Sequence, residues 1–117
     1  MKLHIFPASG KSAQLNYHLT IKNKVSNNLI KNYIPNIQNK LLRAEGNPVW
    51  GTTDYHKNKV NKMQYGDYAL FYRKYKIFSA GKIIFKKDDI DLGENLWKHS
   101  ETKYQHIILL ESISYID

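Results

Sequence analysis

Several groups of residues in this 117-residue chain have the types and spacing to do chemistry. Gly10-Lys11-Ser12 follows an apolar run, as a phosphate-cradling loop does. Such a loop also needs a glycine five positions earlier, where the chain has Ile5, and a later apolar strand ending in a magnesium-binding Asp, which is missing. The triplet reads instead as a turn entering a helix. Asp88, Asp89 and Asp91, upstream of Glu101-Thr102-Lys103, have the bare spacing of a metal-dependent nuclease, in which carboxylates hold Mg²⁺ and the lysine assists the attacking water. Lys98-His99-Ser100 precedes Glu101 where an apolar strand should present it, so a solvated loop is the competing reading. The histidines at 4, 18, 56, 99 and 106 match no metal-ligand spacing. No metal or cofactor is expected, and no Gly-x-Ser-x-Gly elbow supports a hydrolase.

Nine Tyr, four Phe and two Trp are the richest source of chemistry. They interleave with Lys in the second half, and base stacking on a charged surface needs that combination. Tyr68, Phe71, Phe78 and Phe85 read as strand residues filling a core. Trp50, between Asn47-Pro48-Val49 and Gly51-Thr52-Thr53, and Trp97, before Lys98-His99-Ser100, both sit beside loops. Two facing indoles would make a slot for a flat base or a methyl-bearing amine. Core packing is the alternative for both.

These residues must be held by a small set of elements. Leu3 to Phe6 reads as a strand closed by Pro7-Ala8-Ser9-Gly10. Ala13, Tyr17 and Ile21 have helical spacing within 10–21. Asn27 to Asn32 reads as a turn or short helix. Ile34, Ile37, Leu41 and Leu42 predict an amphipathic helix over 33–44, with Pro35 in its first turn and Gly46-Asn47-Pro48 stopping it. Val49 to Thr53 reads as extended, and Asp54 as the cap of a helix over 55–64. Strands are expected at 68–72, at 76–85 after a tight Arg73-Lys74-Tyr75 connection, and at 105–111. Asp88 to Gly93 reads as an acidic loop. The order suggests helices packed on a small, curved, mixed sheet.

The length suits one domain, and 42% apolar residues can build its core. Eighteen Lys and Arg, only two of them Arg, face ten acids, for a net charge of +8. That excess favours a polyanion, although a composition rich in Lys, Asn and Ile raises it without any partner. The chain has no cysteine, no signal-peptide pattern and no membrane-length apolar run, which together suit a cytoplasmic protein and no membrane partner.

The stretch Asn47-Pro48-Val49-Trp50-Gly51-Thr52-Thr53-Asp54, followed by Asn58-Lys59 and Met63, resembles the Val-Trp-x-[Ser/Thr]-Thr segment of YTH domains. Tyr68-Ala69-Leu70-Phe71-Tyr72 and Ile77-Phe78-Ser79-Ala80-Gly81 resemble that family's paired strands. Gly66-Asp67 is closer to the bacterial and archaeal EVE pattern. Leu96-Trp97-Lys98 falls where the second cage tryptophan of YTH domains is found. The resemblance runs from about residue 2 to residue 111. It implies an α+β, PUA-like (EVE/YTH) open mixed β-barrel with flanking helices, no catalysis, and a pocket for an extruded base. In YTH domains that base is N6-methyladenine in RNA; a related N-terminal module of McrB-type restriction proteins reads methylated DNA. A single 1–117 domain of this kind would suit a module joined to a downstream AAA+ motor or nuclease subunit.

By the resemblance, Trp50, Trp97 and Tyr72 would wall the cage, with Tyr55 and Tyr75 as other candidates for the third wall. Ser9, Gly51 (through its backbone) and Asp54 would meet the base edge, because no Asn stands near Ala8-Ser9 where YTH domains place one. Lys11, Lys57, Lys59, Arg73, Lys74 and Lys98 would dock on phosphates. Methylated DNA is the favoured partner and N6-methyladenine the favoured mark; RNA and 5-methylcytosine remain open.

Overall fold

Short runs of apolar and aromatic residues form most of the strands, and one long strand joins them into a single sheet. The computed structural model describes residues 1–116. Its strands are β1 (Leu3–Pro7), β2 (Val49–Thr52), β3 (Tyr68–Arg73), β4 (Lys76–Asp88), β5 (His106–Leu110) and β6 (Ser114–Tyr115). The sheet order is β1-β3-β4-β5-β2, with β6 paired to β4. β1 runs parallel to β3, and the other pairings are antiparallel. A register shift between Ile83 and Phe85 bends β4, so its first half pairs with β3 and its second with β5. β1 and β2 are the two edges, and the sheet is open between them.

The helices are α1 (Lys11–Tyr17), α2 (Asn27–Tyr33), α3 (Lys57–Asn61) and α4 (Ile90–Leu96). α1 runs on into a π-helical turn at His18–Lys22, where the Thr20 hydroxyl donates to the carbonyls of Asn16 and Val49. No helix among the described residues is long and apolar enough to cross a membrane.

Two apolar clusters lie on opposite faces of β5, a strand buried along its whole length. One holds Phe6, Tyr17, Trp50, Met63, Phe71, Ile108 and Leu110; the other holds Ile30, Val49, Ile84, Leu92, Trp97, Ile107 and Leu109. The period of two along β5 divides them. Phe71 is fully buried as expected, and Phe78 and Phe85 pack from the margins.

Three elements differ from the sequence reading. The expected helix over 33–44 is absent: α2 ends at Tyr33, and only a 3₁₀ turn at Asn39–Leu41 follows. The Ser26 hydroxyl accepts from the Leu29 amide and starts α2 where a turn or short helix was expected, while Pro35 drives Ile34 out of the helical region to φ −129°. Ile34 and Ile37 are still buried, so the spacing tracked burial without a helix. The acidic loop at 88–93 is largely α4, because the Asp89 carboxylate accepts from the Leu92 amide. Gly93 sits inside this helix because a β-carbon there would strike the Tyr104 carbonyl. Asp54 does not cap a helix over 55–64. A 3₁₀ turn at Asp54–His56 leads into the short α3, and the Asp54 carboxylate accepts instead from His106 Nε2 at 2.9 Å.

Lys74 and Tyr75 form a two-residue hairpin loop with φ of 52° and 67°. This is the type I′ geometry that Asn-Gly fills readily. Residues with a β-carbon adopt it at a cost of about 1–2 kcal/mol each.

Asp67 ties the start of β1 to the turn before β3. Its carboxylate accepts from His4 Nε2 at 2.9 Å and from the amides of Lys2 and Gln64 at 3.0 Å each. The His4 bond first, then the two amides, hold its pKa well below the usual carboxylate range. A depressed carboxylate stabilises the fold above its unfolded value of about 4 and loses that contribution as pH falls toward the folded value. Thermal melts should therefore show an acid limb below about pH 4. Asp67→Asn is expected to lower the melting temperature at neutral pH and to flatten that limb.

Candidate nucleic-acid interface

At the open side of the sheet, the C-terminal ends of β1 and β2 and the inner face of α1 enclose a cleft of about 160 Å³. Trp50 forms part of its wall, 5% exposed, with Phe6 and Pro7 from β1 and Tyr104 beyond Gly51. The Trp50 ring is braced edge-on by Phe71 at 5.2 Å and Tyr17 at 6.4 Å between centroids. The Tyr17 hydroxyl bonds to Ser79 at 2.7 Å, and burial pushes its pKa up. A buried apolar cavity of about 150 Å³ admits benzene, so this cleft has room for one flat ring.

Two buried polar side chains line the cleft. Asn16, 2% exposed, accepts through Oδ1 from His99 Nε2 at 2.7 Å. Thr52, 6% exposed, follows Trp50 by two residues and shares its face; its hydroxyl is buried without a hydrogen-bond partner. An unpartnered buried hydroxyl costs about 1–3 kcal/mol. Lys59 stands at the rim, its ammonium donating to the Ile5 carbonyl and lying 4.5 Å from the Phe6 ring centroid. Burial lowers its pKa.

The structure separates the residues expected to form the cage. Trp50 and the Gly51 backbone line the cleft, but Trp97 does not. It is 1% exposed and belongs to the cluster on the other side of β2. Its six-membered ring packs on Gly51 and its side on Tyr104, with ring centroids 5.5 Å apart. Successive residues of a strand face opposite ways, so Trp50 and Trp97 have β2 between them. Tyr72 pairs across from Pro7 and does not line the cleft. Ser9 is exposed, with its carbonyl accepting from the Gln14 side chain. Asp54 is engaged with His106.

Among the expected phosphate contacts, Lys11, Lys57, Lys74 and Lys98 are exposed. Arg73 is committed to the fold: Nε donates to the Ala8 carbonyl at 3.0 Å, and the guanidinium lies over Phe78 and Tyr17. The nuclease constellation is not assembled. Asp88 accepts from Gln105, Asp89 caps α4 and pairs with Lys87, and Lys103 pairs with Glu94. No group of three acids or histidines that could hold a metal occurs among the described residues.

Asn16, Thr52 and Tyr104 escaped the sequence reading. Asn16 had a signal, as a polar residue on the helix face that carries Ala13 and Tyr17. Gly51→Ala is expected to destabilise the protein by about 1–3 kcal/mol, because its β-carbon would overlap the Trp97 ring. Denaturant unfolding measures the loss.

No family model matches the sequence, and no curated protein does. Among solved structures, the N-terminal domain of Thermococcus gammatolerans McrB bound to m5C DNA matches with a TM-score of 0.72. The match covers 99% of this chain and 76% of that one at 18% identity. The chain has the fold of the McrB N-terminal domain. The expected PUA-like, open α+β architecture is therefore the observed one. At 18% identity the McrB likeness speaks to backbone arrangement, and the residues of the cleft must be argued on their own chemistry.

Proposed function

We propose that this domain reads a modified base in DNA, taking one extruded base into the cleft beside Trp50. The observation that carries the reading is a ring-sized, largely apolar cleft walled by Trp50, with the buried polar residues Asn16 and Thr52 in its lining. The net charge of +8 favours a polyanion, and the fold is shared with a domain that was bound to m5C DNA. Stacking on Trp50 would contribute about 1–3 kcal/mol against an extrusion cost of a few kcal/mol. A buried methyl would add about 0.8 kcal/mol, the basis of selection for the mark.

The cleft takes one ring, which favours 5-methylcytosine as the mark; N6-methyladenine, which the YTH resemblance implies, is the alternative that the test separates. In this reading the domain serves a modification-dependent restriction system as its targeting module, with any motor or nuclease in another domain or subunit. The test is fluorescence anisotropy at fixed salt on matched duplexes carrying 5-methylcytosine, N6-methyladenine or no mark, with RNA counterparts. Preference for one modified duplex supports the reading and names the mark. Equal, salt-sensitive binding to all would overturn it in favour of plain polyanion binding.

A further inference from the structure

We infer that the β3–β4 hairpin tip is a wedge, with Tyr75 entering the duplex where the target base has left. The inference rests on the base-reading proposal and concerns a surface outside the cleft.

Three observations point to it. Tyr75 is 93% exposed, the ring standing clear of the protein, so the fold gains little by it. Lys74 and Tyr75 both hold positive φ in a turn that Asn-Gly would occupy without strain. The sequence therefore keeps a large side chain at a position where it burdens the fold, a pattern associated with functional sites. Lys74 and Lys76 flank the ring and are exposed, so an aromatic tip is presented between cations.

Placement supports the same conclusion. Pro7, on the cleft wall, pairs directly with Tyr72, and Arg73 anchors the hairpin base to the Ala8 carbonyl. Arg73 and Lys76 close the hairpin one step past the Tyr72–Ile77 pair, and Tyr75 lies in the turn beyond them. The tip thus projects from the same end of the sheet as the cleft. Extruding a base leaves two neighbouring pairs without a stacking partner, and a side chain inserted between base steps fills such a gap. Lys74 and Lys76 would hold the flanking phosphates while the ring does so.

Binding of a duplex with one central modified base is compared with binding of the same modified strand alone. A single strand has no gap to fill. Tyr75→Ala should weaken duplex binding roughly tenfold, as expected for one lost stacking contact, and leave single-strand binding unchanged. Tyr75→Phe should retain duplex binding. The Lys74→Asn, Tyr75→Gly double variant should melt at a higher temperature than the parent yet bind the duplex less well. Equal loss on both substrates would make Tyr75 an ordinary surface contact and overturn the wedge, as would a Tyr75→Ala protein with undiminished duplex affinity. If Trp50→Leu changes neither substrate's affinity, the base-reading proposal fails and takes the wedge with it; if Trp50→Leu weakens both substrates while Tyr75→Ala leaves the duplex affinity unchanged, the wedge alone fails.

Discussion

Trp97→Ala is expected to lower the unfolding free energy by about 3–5 kcal/mol, the range for deleting a buried large aromatic. Domains of this size hold only about 5–15 kcal/mol in total, so a sizeable unfolded population near physiological temperature should follow. The cause is position. Trp97 is almost fully buried, fills the space over Gly51 and supports Tyr104. Its indole N–H is buried without a partner. Trp97→Phe removes that unsatisfied donor while keeping a ring, so its cost should be smaller than the volume change suggests. Denaturant unfolding gives both values. Anisotropy on the folded Trp97→Phe protein then separates support from contact. Retained selectivity for a marked duplex assigns Trp97 to the scaffold; lost selectivity at near-parent stability means the indole reaches the ligand, as the YTH resemblance implies.

The second large effect is on binding. Trp50→Leu keeps an apolar side chain beside Phe71 and Tyr17 but removes the flat ring from the cleft wall. Affinity for the marked duplex should fall about 10- to 100-fold, the equivalent of 1–3 kcal/mol of stacking. Some stability should go with it, so Thr52→Val provides a cleaner companion. The Thr52 hydroxyl has no partner in the free protein, and replacing it with an apolar group of the same shape is nearly neutral or stabilising. If that hydroxyl meets the base edge, Thr52→Val binds less tightly while melting no lower than the parent. A Thr52→Val protein that binds the marked duplex as well as the parent would remove Thr52 from the recognition scheme.

The strands were the legible part of the fold. β1, β3 and β5 follow apolar runs, and the β3–β4 hairpin follows a short polar break, all set by near neighbours. The missed elements turned on single local contacts that apolar spacing does not encode. Pro35 stopped α2 at Tyr33, where the spacing suggested a second helix, and the Asp89 carboxylate built a helix where acids suggested a loop. Part of the candidate cleft was legible as well. Val49-Trp50-Gly51-Thr52 marked a strand that lines it, but the partner for Trp50 was sought in the other tryptophan, which lies across β2. Whether two aromatics meet depends on which face of β2 each occupies. The parity of Trp50 and Gly51 settles one side, but the glycine's role as the seat for Trp97 appears only in three dimensions.

The gap between the two sheet edges bears on how sharply the cleft can discriminate. Among the described residues no strand pairing joins β1 to β2; the Lys59 ammonium, from α3, reaches the Ile5 carbonyl. Spreading the edges would load the Lys59 bond, the Thr20 bond to the Val49 carbonyl and the apolar contacts around them, and leave every strand ladder intact. The cleft is expected to yield along that direction before any other. A second fused ring would meet a restoring force that rises with displacement, so ring size would be graded by affinity and residence time instead of being admitted or refused.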